Sequence, residues 1–221
     1  MNLPDDPIVT NVYLDIKRAV AATDAQWSVI GGQALRAHGV PRNTLDVDAL
    51  VDADSVMKVA ESLVDTFCWQ PVSYDEATGD FVDVDDIATH TMDDPVLFDM
   101  QDERLMIPLR SPLGLLVDLL SAQHPVERDM MNCAIVMVRS GVPVPISPLG
   151  GVLLVKTKAD RPKDVAAIEQ TAEHLPAERV KEAVAWARQR DPATADDLEA
   201  LIAAARARRA PVRTTPNRRR Q

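Results

Sequence analysis

Gly31-Gly32-Gln33-Ala34-Leu35-Arg36-Ala37-His38-Gly39-Val40-Pro41-Arg42-Asn43-Thr44-Leu45-Asp46-Val47-Asp48 is the run from which the fold can be worked out. Gln26 to Ile30 before it is short and mostly apolar, as a strand should be, and the glycine pair ends it. Gln33 to His38 is compatible with a helix that stops at Gly39, a residue suited to the left-handed turn after a helix. Thr44 to Val51 alternates and then turns wholly apolar, which fits a strand with one polar face. A Gly-Gly pair between strand and helix leaves bare backbone N–H groups and a positive helix end where an anion can approach. Asp46 and Asp48 are two apart on a strand, so both carboxylates point to one face. Two such carboxylates repel unless a cation lies between them, and magnesium with its oxygen ligands is the common answer. The competing reading has Gly31-Gly32 as a plain tight turn and Asp46/Asp48 as the solvated face of an edge strand.

Upstream, Ile8 to Ala22 places Val12, Ile16 and Ala19/Val20 at helical spacing. Downstream, Asp54 or Ser55 can cap a helix over 56–67. Residues 69–86 form an acidic stretch with strand-like pieces and a turn near Thr78-Gly79. Two strands follow, over 104–109 and 113–120, and the second carries Asp118 in the apolar run Leu115 to Leu120. Residues 141–146 hold two prolines, so that strand is expected at a sheet edge. From Ser147 onward the pattern is helical, over 148–159, 162–173, 177–190 and 194–209, with Pro148 and Pro162 at first helical positions. The expected architecture is α/β: a mixed-sheet core with its N-terminal helix over 1–146, a helical C-terminal part over 147–209, and a disordered Arg-rich tail over 210–221.

The chain has 221 residues, 46% apolar and 26% charged, enough to bury a core and too ordinary in composition for wholesale disorder. The net charge of −10 is uneven. Eleven acids and no Lys or Arg lie between Pro71 and Glu103, whereas Arg206, Arg208, Arg209, Arg213, Arg218, Arg219 and Arg220 crowd the end without an acid. An acidic body disfavours a general nucleic-acid coat. The basic tail can serve solubility, self-association, docking onto the acidic body or RNA contact. No apolar run approaches the roughly 20 residues of a membrane span, and the start lacks a secretory leader, so no membrane partner is expected. Cys68 and Cys133 stand far apart without metal-ligand spacing and read as reduced, partly buried thiols of a cytoplasmic protein.

The run of Gly31, Gly32, Ala34, His38, Gly39, Arg42, Thr44, Asp46 and Asp48 resembles the nucleotidyltransferase fold superfamily shared by DNA polymerase beta and kanamycin nucleotidyltransferase. Within it the likeness is closer to bacterial nucleotidyltransferases and toxins of the AbiEii and MenT type. Val117-Asp118-Leu119-Leu120 resembles that family's third-carboxylate strand. Leu154-Val155-Lys156 through Arg161-Pro162-Lys163-Asp164 resembles its lysine-bearing helix and the start of the next one. The resemblance spans about residues 27–169 and implies Mg2+- or Mn2+-dependent transfer of a nucleoside monophosphate from an NTP, with loss of pyrophosphate. It implies Asp46, Asp48 and Asp118 as catalytic metal ligands, with Gly31, Gly32, Gln33, Arg42, Lys156 and Asp164 contacting nucleotide or phosphate. The acceptor would be an RNA such as a tRNA end, or a protein hydroxyl, and the protein could be the toxin of a toxin–antitoxin pair with a cognate antitoxin as partner. The alternative is a catalytically silent binding module on the same fold, acting as antitoxin or regulator. Gln33 stands where some toxin relatives carry Ser or Thr, and Ala167 where relatives carry a second acid.

Other side chains leave the residue-level reading open. Lys156 lies on the apolar stripe of its helix, where it needs a carboxylate or phosphate partner or must snorkel outward. Arg42 can meet a triphosphate or pair with one of the aspartates. Asp164, in a first helical turn, suits the helix dipole as well as a site. Lys163 reads as solvated, His38 as a neutral helix-end residue, His90, His124 and His174 as structural, and the acids of 75–103 as a solvated face.

Overall fold

Asp6 starts the first helix by accepting hydrogen bonds from the backbone N–H groups of Ile8 and Val9, with Pro7 at the first helical position, where no donor is lost. The elements then run α1 (Pro7–Thr23), β1 (Trp27–Ile30), α2 (Gly31–Ala37), β2 (Asp46–Asp52), α3 (Val56–Phe67), β3 (Gln70–Asp75), β4 (Asp80–Asp83), β5 (His90–Met92), β6 (Arg104–Arg110), β7 (Leu116–Ala122), α4 (Pro125–Asn132), β8 (Ile135–Arg139), β9 (Val142–Ile146), α5 (Leu149–Ala159), α6 (Pro162–His174), α7 (Ala177–Arg188) and α8 (Pro192–Arg209). The computed structural model describes residues 6–44, 46–75, 78–87, 90–92 and 104–209. The tail of 210–221 and the acids at 93–103 therefore lie outside the described residues.

Among the described residues nine strands form one mixed sheet in the order β4-β3-β6-β7-β2-β1-β9-β8, with β5 pairing on β6. β2 runs parallel to β7 and β1 parallel to β9; the other pairs are antiparallel. Register partners share a face and neighbours along a strand alternate, so Val29, Val47, Ala49, Val51 and Ile146 lie on one side. Tyr13 of α1 stacks near Trp27 at 6.4 Å on that side. Ile30, Asp46, Asp48, Leu50, Asp118 and Leu120 lie on the other. One cluster of buried side chains runs from Val9 to Ala205 and joins the sheet to the C-terminal helices. Gly150 lets α5 approach α7: a Cβ there would lie 2.4 Å from the Ala183 carbonyl oxygen.

The expected α/β architecture with a mixed sheet is what the chain adopts, but several details differ. Residues 141–146 were expected at an edge, yet β9 lies between β1 and β8, and β8 is the outer strand. Two prolines are tolerated there because β1 reaches β9 only at the Val29–Ile146 pair, so nitrogens turned away from β8 face no ladder. Neither β8 nor α4 was expected. The overlooked signals were Ser140-Gly141, whose φ angles of 44° and 82° make a tight two-residue hairpin turn, and His124-Pro125 with Glu127. There His124 Nδ1 accepts from the Val126 N–H and Glu127 accepts from the His124 N–H, a capping box that opens α4. α2 begins at Gly31 rather than Gln33, and Pro148 precedes α5 as its N-cap. Ser55 is the N-cap of α3 but makes no side-chain capping bond. Cys68 and Cys133 are exposed, not partly buried. Among the described residues no helix is long and apolar enough to cross a membrane.

Candidate active site

β1 ends at Ile30 and the chain turns at once into α2, and that turn is what brings backbone close to the acidic strand. Gly31 has φ +63°, a conformation glycine adopts without cost. A Cβ on Gly31 would fall 1.7 Å from Asp48 Oδ2, and one on Gly32 would fall 2.6 Å from Thr44 Oγ1. The Gly32 N–H lies near enough to the Asp48 carboxylate to favour its charged form. Gly39 closes α2 in a Schellman arrangement, with the Val40 N–H reaching the Leu35 carbonyl at 3.0 Å and the Gly39 N–H reaching that of Arg36.

The parallel register of β2 and β7 pairs Asp48 directly with Asp118, and Asp46 with Leu116. All three carboxylates therefore lie on one face and line one cleft of about 630 Å3. Gly31, Gly32, Arg42, Lys156 and Asp164 line it too. Its apolar floor includes Ile30, Leu120 and Val152, while α5 and the start of α6 close one side. Burial, and then the neighbouring Asp46, raises Asp48 to about 6 against the pull of Lys156, Lys163 and the Gly32 N–H. Burial, and then Asp48 and Asp46, raises Asp118 to about 7, with Lys163 opposing. Both shifts mark a place short of positive charge.

The donor set suits a hard divalent cation, which takes oxygen ligands and removes this repulsion. Among the described residues no three acidic, His or Cys side chains already stand as a closed metal cage. Asp46 is exposed and its carboxylate accepts a close hydrogen bond from the Thr44 hydroxyl. Asp46, Asp48 and Asp118 are nevertheless the group on the cleft face that would hold such an ion.

The positive groups are arranged more subtly than spacing suggested. Lys156 Nζ meets Asp164 Oδ1 at 2.7 Å and Arg161 Nε meets Oδ2 at 2.6 Å. Asp164 is 1% exposed; burial alone would raise its pKa, but the bonds from Lys156 and Arg161 outweigh it and hold the carboxyl below its ordinary value. Lys156 thus takes the carboxylate partner its apolar position required. With both oxygens taken, Asp164 holds the two cations at the rim rather than presenting itself to a ligand. Arg42 makes no ion pair with Asp46 or Asp48 among the described residues; its Nη1 donates to Gln170 Oε1 at 3.1 Å and its Nε is buried without a partner.

Gln33 is the candidate that the fold does not bring to the cleft. It is 3% exposed, its amide donates to the Asp46 carbonyl at 3.2 Å and accepts from Arg36, so it fixes the start of β2. Lys163, read as solvated, is exposed but lines the cleft and acts on both Asp48 and Asp118. Arg161 and Thr44 were missed as well. The Arg-Pro-Lys-Asp run held that information, since a helix starting at Pro162 sends its first-turn side chains toward the same end as Asp164. Lys158 pairs instead with Asp191 at 2.7 Å, far along the C-terminal helices.

His38 is 2% exposed, with Nε2 on the Ser147 carbonyl at 2.8 Å, while its own carbonyl accepts from Arg179 Nη1. Burial lowers its pKa, against the Ser147 bond, and Arg179 adds to the lowering. It is a neutral structural link between α2 and the C-terminal helices. A lowered folded-state pKa means the unfolded chain binds the proton first, so this stability is complete above about pH 6.5 and is lost as pH falls below it. The difference in unfolding free energy between wild type and His38→Gln, measured by urea titration, should shrink from pH 7.5 to 5, by at most ~1.4 kcal/mol per pH unit. A constant difference would remove this role.

No model of a known protein family matches the chain, and no curated protein matches it in sequence. Among solved structures the chain is similar to the antibiotic-resistance factor ANT(2'')-Ia, at 15% identity over 92% of this chain and 94% of that one, with a TM-score of 0.45. It is similar also to an antigenic nucleotidyltransferase-like protein from Paracoccidioides brasiliensis, at 16% identity over 86% and 91% of the two chains, TM-score 0.42. The CCA-adding enzyme of Thermotoga maritima, solved in complex with tRNA, matches at 15% identity over 90% of this chain and 52% of its own, TM-score 0.43.

Proposed function

We propose that the chain transfers a nucleoside monophosphate from an NTP to an acceptor hydroxyl. The observation that carries this reading is the β2–β7 register, which sets Asp118 beside Asp48 on the cleft face beneath a glycine turn. In the proposed step the acceptor oxygen bonds to the α-phosphorus, the α–β phosphoanhydride bond breaks, and pyrophosphate leaves. The hydroxyl proton passes to a carboxylate of the cleft, the role this reading gives to Asp118. Mg2+ or Mn2+ bound by Asp46, Asp48 and Asp118 would supply charge neutralisation at the triphosphate. Lys156 and Arg161, oriented by Asp164, and Lys163 and Arg42 bring positive charge to the same cleft. Gly31 and Gly32 leave the backbone open to the β- and γ-phosphates. Positioning and electrostatics then carry the catalysis, as phosphoryl chemistry asks little covalent help.

In this reading the acceptor is an RNA, such as a tRNA end, or a protein hydroxyl, in the setting of a toxin and its cognate antitoxin. Incubation with each labelled NTP, magnesium, total tRNA and total cell protein should place label on one acceptor class, and chelator should abolish it. One NTP with magnesium should also raise the melting temperature by mass action. No label and no shift with any NTP would end the proposal.

A further inference from the structure

The outer edge of β8 lies at the opposite end of the sheet from the cleft's acidic hairpin, and the two edges are built differently. The β4 edge is four residues long and carries the exposed Asp80 and Asp83, charges of the kind that discourage edge-to-edge pairing. β8 reads Ile135-Val136-Met137-Val138-Arg139, with Ile135 51%, Val136 63% and Val138 49% exposed. The whole hairpin 135–146 contains no acid, in a chain of 34 acids and net charge −10. A second acidic molecule meets no repulsion from this hairpin.

The prolines of β9 set the phase of the free edge. Val138 faces Pro143 and Val136 faces Pro145. Proline has no N–H to give, so the ladder bonds of this hairpin run through Ile135, Met137 and Arg139, and the N–H and C=O of Val136 and Val138 point outward. Arg139 is buried against the Tyr13 ring at 5.7 Å, which anchors the other face of the strand. Among the described residues no strand pairs with that outer edge.

We propose that β8 pairs with β8 of a second copy of this chain, antiparallel about a two-fold axis at Met137. In that register Val136 faces Val138 of the second copy on both sides of the axis. The four outward groups of one strand meet the four of the other in two hydrogen-bonded pairs. The exposed valines, flanked by Pro143 and Pro145, become one apolar strip across the joint. The match of valine with valine on both sides of the axis, and the lack of any acid in the hairpin, are the grounds for taking a second copy as the partner.

This inference does not depend on the catalytic reading, and its test does not measure catalysis. Light scattering behind size exclusion, run over a dilution series, should give twice the 24.2 kDa chain mass at the concentrated end. Val136→Pro removes only the outward N–H and keeps every bond to β9. Losing two bonds per dimer, each worth roughly tenfold, should weaken the dimer about 100-fold, with the melting temperature unchanged at dilutions where both proteins are monomeric. Val136→Lys, which keeps the backbone donor but adds repelling charge, should also give monomers. A wild type that is monomeric throughout, a Val136→Pro dimer as tight as wild type, or a dimer that forms only after removal of residues 210–221 would each overturn the proposal.

Discussion

Asp118→Asn should unfold at a higher temperature than wild type at pH 8 in chelator, while losing nucleotidyl transfer by at least ~10²–10³-fold. Burial and the two neighbouring aspartates raise the folded-state pKa of Asp118 to about 7, above an unfolded value of about 3.9. A raised carboxylate contributes stability below its unfolded pKa and loses it as pH climbs through the folded one. The charged carboxylate is therefore a full burden at pH 8 and a small one at pH 5. Asparagine keeps the shape without the charge. At ~1.4 kcal/mol per pKa unit the ceiling is about 4 kcal/mol, and sharing of the shift with Asp48 lowers the expectation to roughly 1–3 kcal/mol, about 3–8 °C. The gap between variant and wild type should narrow by more than half as pH falls to 5. Magnesium should raise the wild-type melting temperature at pH 8 and raise that of the variant much less. An Asn variant less stable than wild type at pH 8, or a gap indifferent to pH, would show that the three carboxylates do not press on one another.

Gly31→Ala tests the other half of the site. The new methyl would sit 1.7 Å from Asp48 Oδ2 and 2.6 Å from its Cγ. Rotating the carboxylate offers little relief, because the Asp48 Cβ is itself only 3.1 Å away. The positive φ adds its own cost for alanine, so about 2–5 kcal/mol of lost stability is expected in total. Transfer should fall to background, because Asp48 is displaced. The double variant Gly31→Ala, Asp48→Ala should recover part of the stability, measured by urea unfolding, and none of the activity. Additive losses in the double variant would contradict the steric account, since residues in contact must couple.

The glycine pair and the two aspartates were legible because their signals are local. A glycine-ended strand and an i, i+2 carboxylate pair need only backbone parity to be placed on a face. Asp118 was legible in kind, as the one carboxylate in an apolar strand, yet its level beside Asp48 was not: register across 70 residues is fixed by packing. Lys163 lines the cleft and Gln33 does not, for a similar reason. Gln33 follows the glycines in sequence, but α2 turns its amide onto the Asp46 carbonyl. Lys163 sits beyond a proline, but α6 starts at the cleft mouth. β8 went unseen because four apolar residues and an arginine suit a helix or a strand alike, and only the Ser140-Gly141 turn distinguished them.

Sequence alone determined the order of elements around the glycine turn, the α/β class and the polar face of the strand that carries Asp46 and Asp48, since these follow from φ/ψ preference and two-residue alternation within a few positions. Tertiary structure decided which acids share a wall, which cations Asp164 holds in place, and which strand forms the outer edge. Those choices rest on contacts between residues distant in the chain, where burial and charge compete and local preference is silent.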